Sequence, residues 1–162
     1  TGCLGLGVKR FCPAAQVTSL EKSPAAYRYL EQNAHLSPVL TITPVRGDLF
    51  TYWQTLPDGQ LDLIVSNPPY VPQSDRAAMH PNVRDHEPGL ALFVPDDDAL
   101  RFYRAIARAG RRMLRPGGKL YFEIYERSAG QMRLLLGEEG YTDTEVREDL
   151  NGKPRMVCSR MK

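Results

Sequence analysis

Apolar positions along the chain come in two alternating rhythms, short strand-like runs and longer stretches with helical spacing. Residues 16–20 read as a first strand after Pro13. Ser23 is then placed to cap a helix with Pro24 at its first position, running to about Leu36. Residues 40–46 (LTITPVR) predict a second strand. Its Pro44 cannot donate to a ladder, which puts that strand on an edge. Residues 61–66 (LDLIVS) are short and almost continuously apolar, the pattern of a strand covered on both faces.

The second half repeats the alternation. A Pro-rich, polar stretch over residues 71–96 predicts a long functional loop with little regular structure. Asp97 or Asp98 is expected to cap the next helix, which runs to about Leu114. Tyr103, Ile106, Ala107, Gly110, Met113 and Leu114 recur at helical spacing as its buried face. Pro116-Gly117-Gly118 ends it, and residues 119–124 (KLYFEI) form a strand in which Glu123 is expected near the cleft. Residues 128–139 predict a further helix closed by Gly140. Residues 141–148 and 155–161 finish as two strands joined around Asn151-Gly152, a turn signal that makes them antiparallel neighbours. Strands alternating with helices in this way predict a doubly wound α/β sheet, mostly parallel, with an antiparallel strand near the end.

Composition narrows the class only a little. The chain has 162 residues, 42% hydrophobic and 25% charged, as in an ordinary single domain. It holds no apolar run near the ~20 residues that span a bilayer, and no basic-then-apolar opening, so a cytoplasmic protein is expected. Cys3, Cys12 and Cys158 read as reduced, packed thiols. His35, His80 and His86 show no metal-ligand spacing. A net charge of +2 is too weak to argue for nucleic acid. Arg101, Arg104, Arg108, Arg111, Arg112 and Arg115 nevertheless stripe one helix face, either as a solvated surface or as a weak contact for RNA or an acidic partner.

Asn67-Pro68-Pro69-Tyr70 changes the picture most. With Pro near 5% of residues, this tetrapeptide arises by chance in such a chain on the order of once in a thousand. It stands at the carboxyl end of the best strand, where open α/β sheets place their ligands. An amide or exocyclic nitrogen attacking a sulfonium methyl develops positive charge, and its N–H bonds become better donors. The Asn67 side-chain oxygen and the Pro68 carbonyl suit those hydrogens, the two prolines hold them in place, and Tyr70 offers a flat face to the planar group. A rigid turn ending a strand is the competing reading. Glu21 follows Gly2 by 19 positions, close to the spacing at which nucleotide-binding units set an acid on ribose hydroxyls after a glycine loop. Asp48, after Gly47, is a candidate acceptor for an adenine amine. Each acid reads equally well as an ordinary surface or turn residue.

Together these segments resemble the release-factor glutamine methyltransferases. The resemblance runs through TGCLGLG, VTSLEKSP, EQNA, GDLF, NPPYVP, HEPGLALF, LRFYRAI, LRPGGKLYFEI and DLNGKPRMV. It implies a Rossmann-like fold that uses S-adenosylmethionine and releases S-adenosylhomocysteine. Gly2 would lie near the methionine part of that cofactor. Glu21 would hold the ribose, Asp48 with Leu49 would frame the adenine, and Lys22 and Asn67 would be further cofactor contacts. Asn67, Pro68, Pro69 and Tyr70 would bind the acceptor amide, with Glu87 as a substrate contact particular to this family. The partner implied is a peptide-chain release factor, methylated on the glutamine of its Gly-Gly-Gln loop; neither membrane nor nucleic acid is required. Tyr125 stands where the family has glycine, and His86 where it has tyrosine. The family's central first strand and amino-terminal helical domain have no counterpart in the sequence, so the chain is expected to be a fragment of a longer protein, folding as one catalytic domain. Methylation of a base amine in DNA or RNA, and an inactive binding fragment, are the alternative readings.

Overall fold

The computed structural model describes residues 1–35 and 40–162, and these fall into two units, Thr1–Leu56 and Pro57–Lys162. In the first unit, Gly2 caps helix α1 (Cys3–Phe11) with φ of +83°. A Cβ there would meet Leu30 Cδ1 at 2.7 Å, so both backbone conformation and packing favour glycine. Strand β1 (Thr18–Glu21) leads to α2 (Pro24–Ala34), capped as expected: Ser23 Oγ accepts from the Ala26 N–H at 3.4 Å. The predicted end of this helix at Leu36 lies outside the described residues. Strand β2 (Thr43–Arg46) then pairs parallel with β1, Glu21 opposite Arg46. These two strands form a sheet of their own among the described residues, which leaves Pro44 on an edge strand. Leu30, Ala34 and Ile42 form the buried centre of this unit, with Leu6, Val17 and Tyr27 packed around it.

The second unit is built on a four-stranded sheet in the order β3-β6-β8-β7. Strand β3 (Leu61–Ser66) pairs parallel with β6 (Leu114–Glu123), and β8 (Pro154–Met161) joins β6 and β7 (Tyr141–Glu148) antiparallel. The antiparallel ending is as expected. The two last strands turn through Asn151-Gly152, with Gly152 at φ +73° and the Asp149 carboxylate accepting from the Asn151 and Lys153 N–H groups. The expected cover on both faces of β3 is corrected: Leu63 and Val65, which share one face, are exposed, and β3 bonds only to β6 among the described residues.

Helix α5 (Arg101–Met113) presents its anticipated face, with Tyr103, Ile106, Ala107, Gly110 and Met113 buried. Its start is corrected. Neither Asp97 nor Asp98 caps it; residues Asp96–Asp98 make a 3-10 turn, and Leu100 is the cap. The aspartates are taken by other partners: Asp96 Oδ1 accepts from Ser74 N and Oγ, and Asp98 from Arg104 at 2.8 Å. Strand β6 also begins earlier than expected. Leu114 pairs with Leu61, and the ladder breaks around Pro116-Gly117-Gly118 before resuming at Lys119, with Gly117 at φ +81°. Helix α6 (Ala129–Glu138) is closed by Gly140 at φ +84°. Residues 71–96 carry more regular structure than expected. They hold a two-residue strand β4 (Val71–Pro72), short helices α3 (Pro81–Arg84) and α4 (Gly89–Leu92), and β5 (Phe93–Val94). Each is too short to leave a period in the sequence. Cys3 and Cys12 are exposed rather than packed, and all three cysteines are free thiols.

Candidate active site around the Asn-Pro-Pro-Tyr loop

The register of the second sheet places the loop. Ser66 pairs with Phe122, so the next residues, Asn67 and Glu123, leave the carboxyl ends of two neighbouring parallel strands. Asn67 is exposed, Pro68 is buried, and Pro69 and Tyr70 are half-buried. The loop is fastened at its far end. The Tyr70 N–H donates to the Leu92 carbonyl at 3.2 Å, and β4 pairs parallel with β5, Val71 opposite Phe93. The HEPGLALF segment is thereby folded back beside NPPYVP, although 13 residues separate them in the chain. Glu87 sits in the turn between α3 and α4 with an exposed side chain, its N–H donating to the Val83 carbonyl.

Tyr70 is held by its hydroxyl, which donates to Glu123 Oε1 at 2.8 Å. Burial, then the Glu123 carboxylate, pushes its phenol up to about 12. Glu123 is itself fixed from behind, since the buried Tyr103 hydroxyl donates to its carbonyl at 2.9 Å. A Tyr125 ring stacks on Tyr70, centroids 6.1 Å apart and planes 22° from parallel. The Tyr125 hydroxyl donates to Asp75 Oδ2. Sequence reasoning anticipated Glu123 near the cleft but gave no part to Tyr125 or Asp75. The signal for Glu123 was its place at the end of a parallel strand; Asp75 leaves none.

Of the predicted cofactor residues, Gly2, Glu21, Lys22, Asp48 and Leu49 lie in the first unit and Asn67 in the second. Glu21 ends β1, and its Oε1 accepts from the Ser23 N–H at 2.9 Å. Asp48 follows β2; Oδ1 accepts from the Phe50 N–H and Oδ2 pairs with Lys22 at 2.7 Å. That ion pair, with the Phe50 bond, holds the Asp48 carboxyl below its usual range. Two carboxylates at the carboxyl ends of adjacent parallel strands fit a ligand rich in hydroxyl and amino donors. The first N–H groups of α1, next to Gly2, have no helical partner and suit a carboxylate. Among the described residues there is no cluster of His, Cys, Asp or Glu that suits a metal ion. No helix there is long and apolar enough to cross a membrane.

The model of the methyltransferase small domain family matches residues 1–84, more than half of the chain. The chain belongs to that family. Among curated members of known name, it is 40% identical over 160 residues to a release factor glutamine methyltransferase of Bacteroides thetaiotaomicron, covering 98% of this chain and 56% of that protein. A release factor glutamine methyltransferase of Deinococcus radiodurans is also 40% identical, over 99% of this chain and 55% of its own length. This small-domain methyltransferase therefore spans about half the length of the curated relatives it matches. Solved structures show the same Rossmann-like methyltransferase fold. A methyltransferase from Pyrococcus furiosus superposes with a TM-score of 0.67 at 15% identity, covering 99% of this chain and 69% of that one. A predicted O-methyltransferase from Agrobacterium tumefaciens gives 0.67 at 16% identity, covering 98% and 68%.

Proposed function

We propose that the protein carrying this chain transfers a methyl group from S-adenosylmethionine to the side-chain amide of the Gly-Gly-Gln glutamine in a peptide-chain release factor, in the cytoplasm. The observation that carries the reading is the Asn67-Pro68-Pro69-Tyr70 loop at the end of β3, with Tyr70 fixed on Glu123. The names of the full-length relatives support it. The cofactor supplies an electrophilic methyl on a sulfonium sulfur. Glu21 and Lys22 would meet its ribose, Asp48 and Leu49 its adenine, and Gly2 with the start of α1 its methionine carboxylate.

The chain's own task is to make a poor nucleophile react. An amide lone pair is delocalised, so charge appears on nitrogen only as the new C–N bond forms and the C–S bond breaks. The Asn67 side-chain oxygen and the Pro68 carbonyl accept the two amide hydrogens and stabilise that charge as it develops, and one of the two protons then passes to solvent to leave the neutral N-methyl amide. The prolines limit the loop's freedom, so little reorganisation is needed at that moment. Tyr70 packs on the amide plane, and Glu87 contacts the acceptor segment. We also propose that residues 1–162 are part of one catalytic domain whose central strand comes from outside them; the edge of β3 that bonds to no strand among the described residues supports this.

The test offers labelled S-adenosylmethionine with a release factor, the same factor with its Gly-Gly-Gln glutamine replaced, and DNA. Label on the first alone, reduced roughly 100-fold or more by Asn67→Ala, is the expected result. Label on DNA overturns the glutamine reading.

A further inference from the structure

The hydroxyl bond of Tyr70 leaves one freedom unfixed. The oxygen lies on the axis about which the ring turns, so the bond to Glu123 holds the ring's tip and not its plane. That torsion is a broad one in tyrosines, and only a contact on the ring face can set it. Tyr125 supplies such a contact, stacked at 6.1 Å and 22°. Tyr125 is in turn anchored at its own far end, its hydroxyl on Asp75, in the 3-10 turn that follows β4. The Arg127 guanidinium lies 5.7 Å from the Tyr125 ring centroid and 4.0 Å from Asp75 Oδ2, adding cation–π and ionic attraction to the same assembly. The Asp75 carboxylate raises the Tyr125 phenol above its ordinary value, so the hydroxyl remains a donor at neutral pH.

We infer that Tyr125 is a positioning residue for the methyl acceptor: by stacking on one face of Tyr70 it sets the plane of that ring and leaves only the opposite face for the acceptor amide. The inference rests on the glutamine reading above. It adds a residue that acts through Tyr70 without touching the reacting atoms.

Two variants separate ring from hydroxyl. Tyr125→Phe keeps the stack and is expected to retain kcat/KM for a Gly-Gly-Gln release factor within about 3-fold. Tyr125→Leu removes the stack and is expected to lower it about 10- to 100-fold, the scale of a misplaced acceptor. S-adenosylhomocysteine affinity should stay unchanged in both, which a general loss of structure would not allow. A second readout needs no turnover. In protein with labelled tyrosines, assigned with Tyr70→Phe, the two edges of the Tyr70 ring should average faster by NMR in Tyr125→Leu than in wild type. Unchanged acceptor kinetics in Tyr125→Leu, equal losses in both variants, or unchanged Tyr70 ring motion would each overturn the inference. A wild-type protein that leaves the glutamine unmethylated brings down the underlying reading, and this proposal with it; that arm is read before any variant.

Discussion

A phenol pushed up to about 12 stays protonated across any pH at which the protein works, so Tyr70 remains a donor to Glu123. The sign of its linkage follows. The folded value lies above the unfolded one near 10, so the stabilisation is fully present below about pH 10 and is lost as pH rises through about 12. Ultraviolet difference titration of wild type against Tyr70→Phe should show the missing phenol ionising near 12, and in Glu123→Gln the same phenol should ionise lower. A phenol unchanged between wild type and Glu123→Gln would remove Glu123 as its partner, and one near 10 in wild type would contradict the burial of the ring as well. The loop itself was legible in the sequence because Asn67, Pro68, Pro69 and Tyr70 are contiguous and follow a readable strand. Of its supports only the neighbourhood of Glu123 was, since its bond to Tyr70 spans 53 positions and that of Tyr125 to Asp75 spans 50. No local spacing encodes such a meeting; the register of β3 on β6 does.

Helix α5 shows how much an element's pattern can carry. Its buried face was readable at helical spacing, and Gly110 on that face lies against Tyr141 and Ile64 of the sheet. A Cβ at Gly110 would collide with the Tyr141 hydroxyl, which donates to the Ala107 carbonyl at 2.9 Å. Gly110→Ala gains about 1 kcal/mol of helix propensity. It loses roughly 1–3 kcal/mol to overpacking and about 1 kcal/mol with the hydrogen bond, so the net effect is destabilising. Urea unfolding should show a lower midpoint for Gly110→Ala, and a smaller loss when Tyr141→Phe has already removed the hydroxyl. An equal loss in both backgrounds would place the strain elsewhere. The helix's beginning was unreadable for a different reason. Asp97 or Asp98 was expected to cap it, but both lie in a separate 3-10 turn, Asp98 is taken by Arg104, and Leu100 is the cap.

At the scale of the molecule, the unbonded edge of β3 is where the proposal of an outside strand becomes measurable. An edge strand exposes amide groups that a central strand would protect. If the residues that precede this chain in its parent supply that strand, hydrogen exchange at residues 61–66 should slow markedly in the longer protein and not in the chain alone. Equal exchange in both would sink the proposal. The alternation of strands and helices made the fold class readable, but not this division, because a sequence shows its strands one at a time and not which of them bond.

The arginine-lined face of α5, with Arg115 placed beyond the helix in β6 rather than on it, has a further consequence. Arg104 is paired with Asp98, Arg108 and Arg111 with the buried Glu139, Arg112 with Asp58, and Arg115 with Asp62. A polyanion gains affinity largely by liberating the small ions condensed on it, and each cation already neutralised within the protein liberates fewer. Binding of this chain to RNA should therefore depend only shallowly on salt, with a slope well short of six phosphate contacts in a plot of log affinity against log salt. Exchanging Glu139 for Gln should steepen that slope, because a stripe that reads as basic in the sequence is an internally compensated surface, and removing its acid is what uncovers the charge.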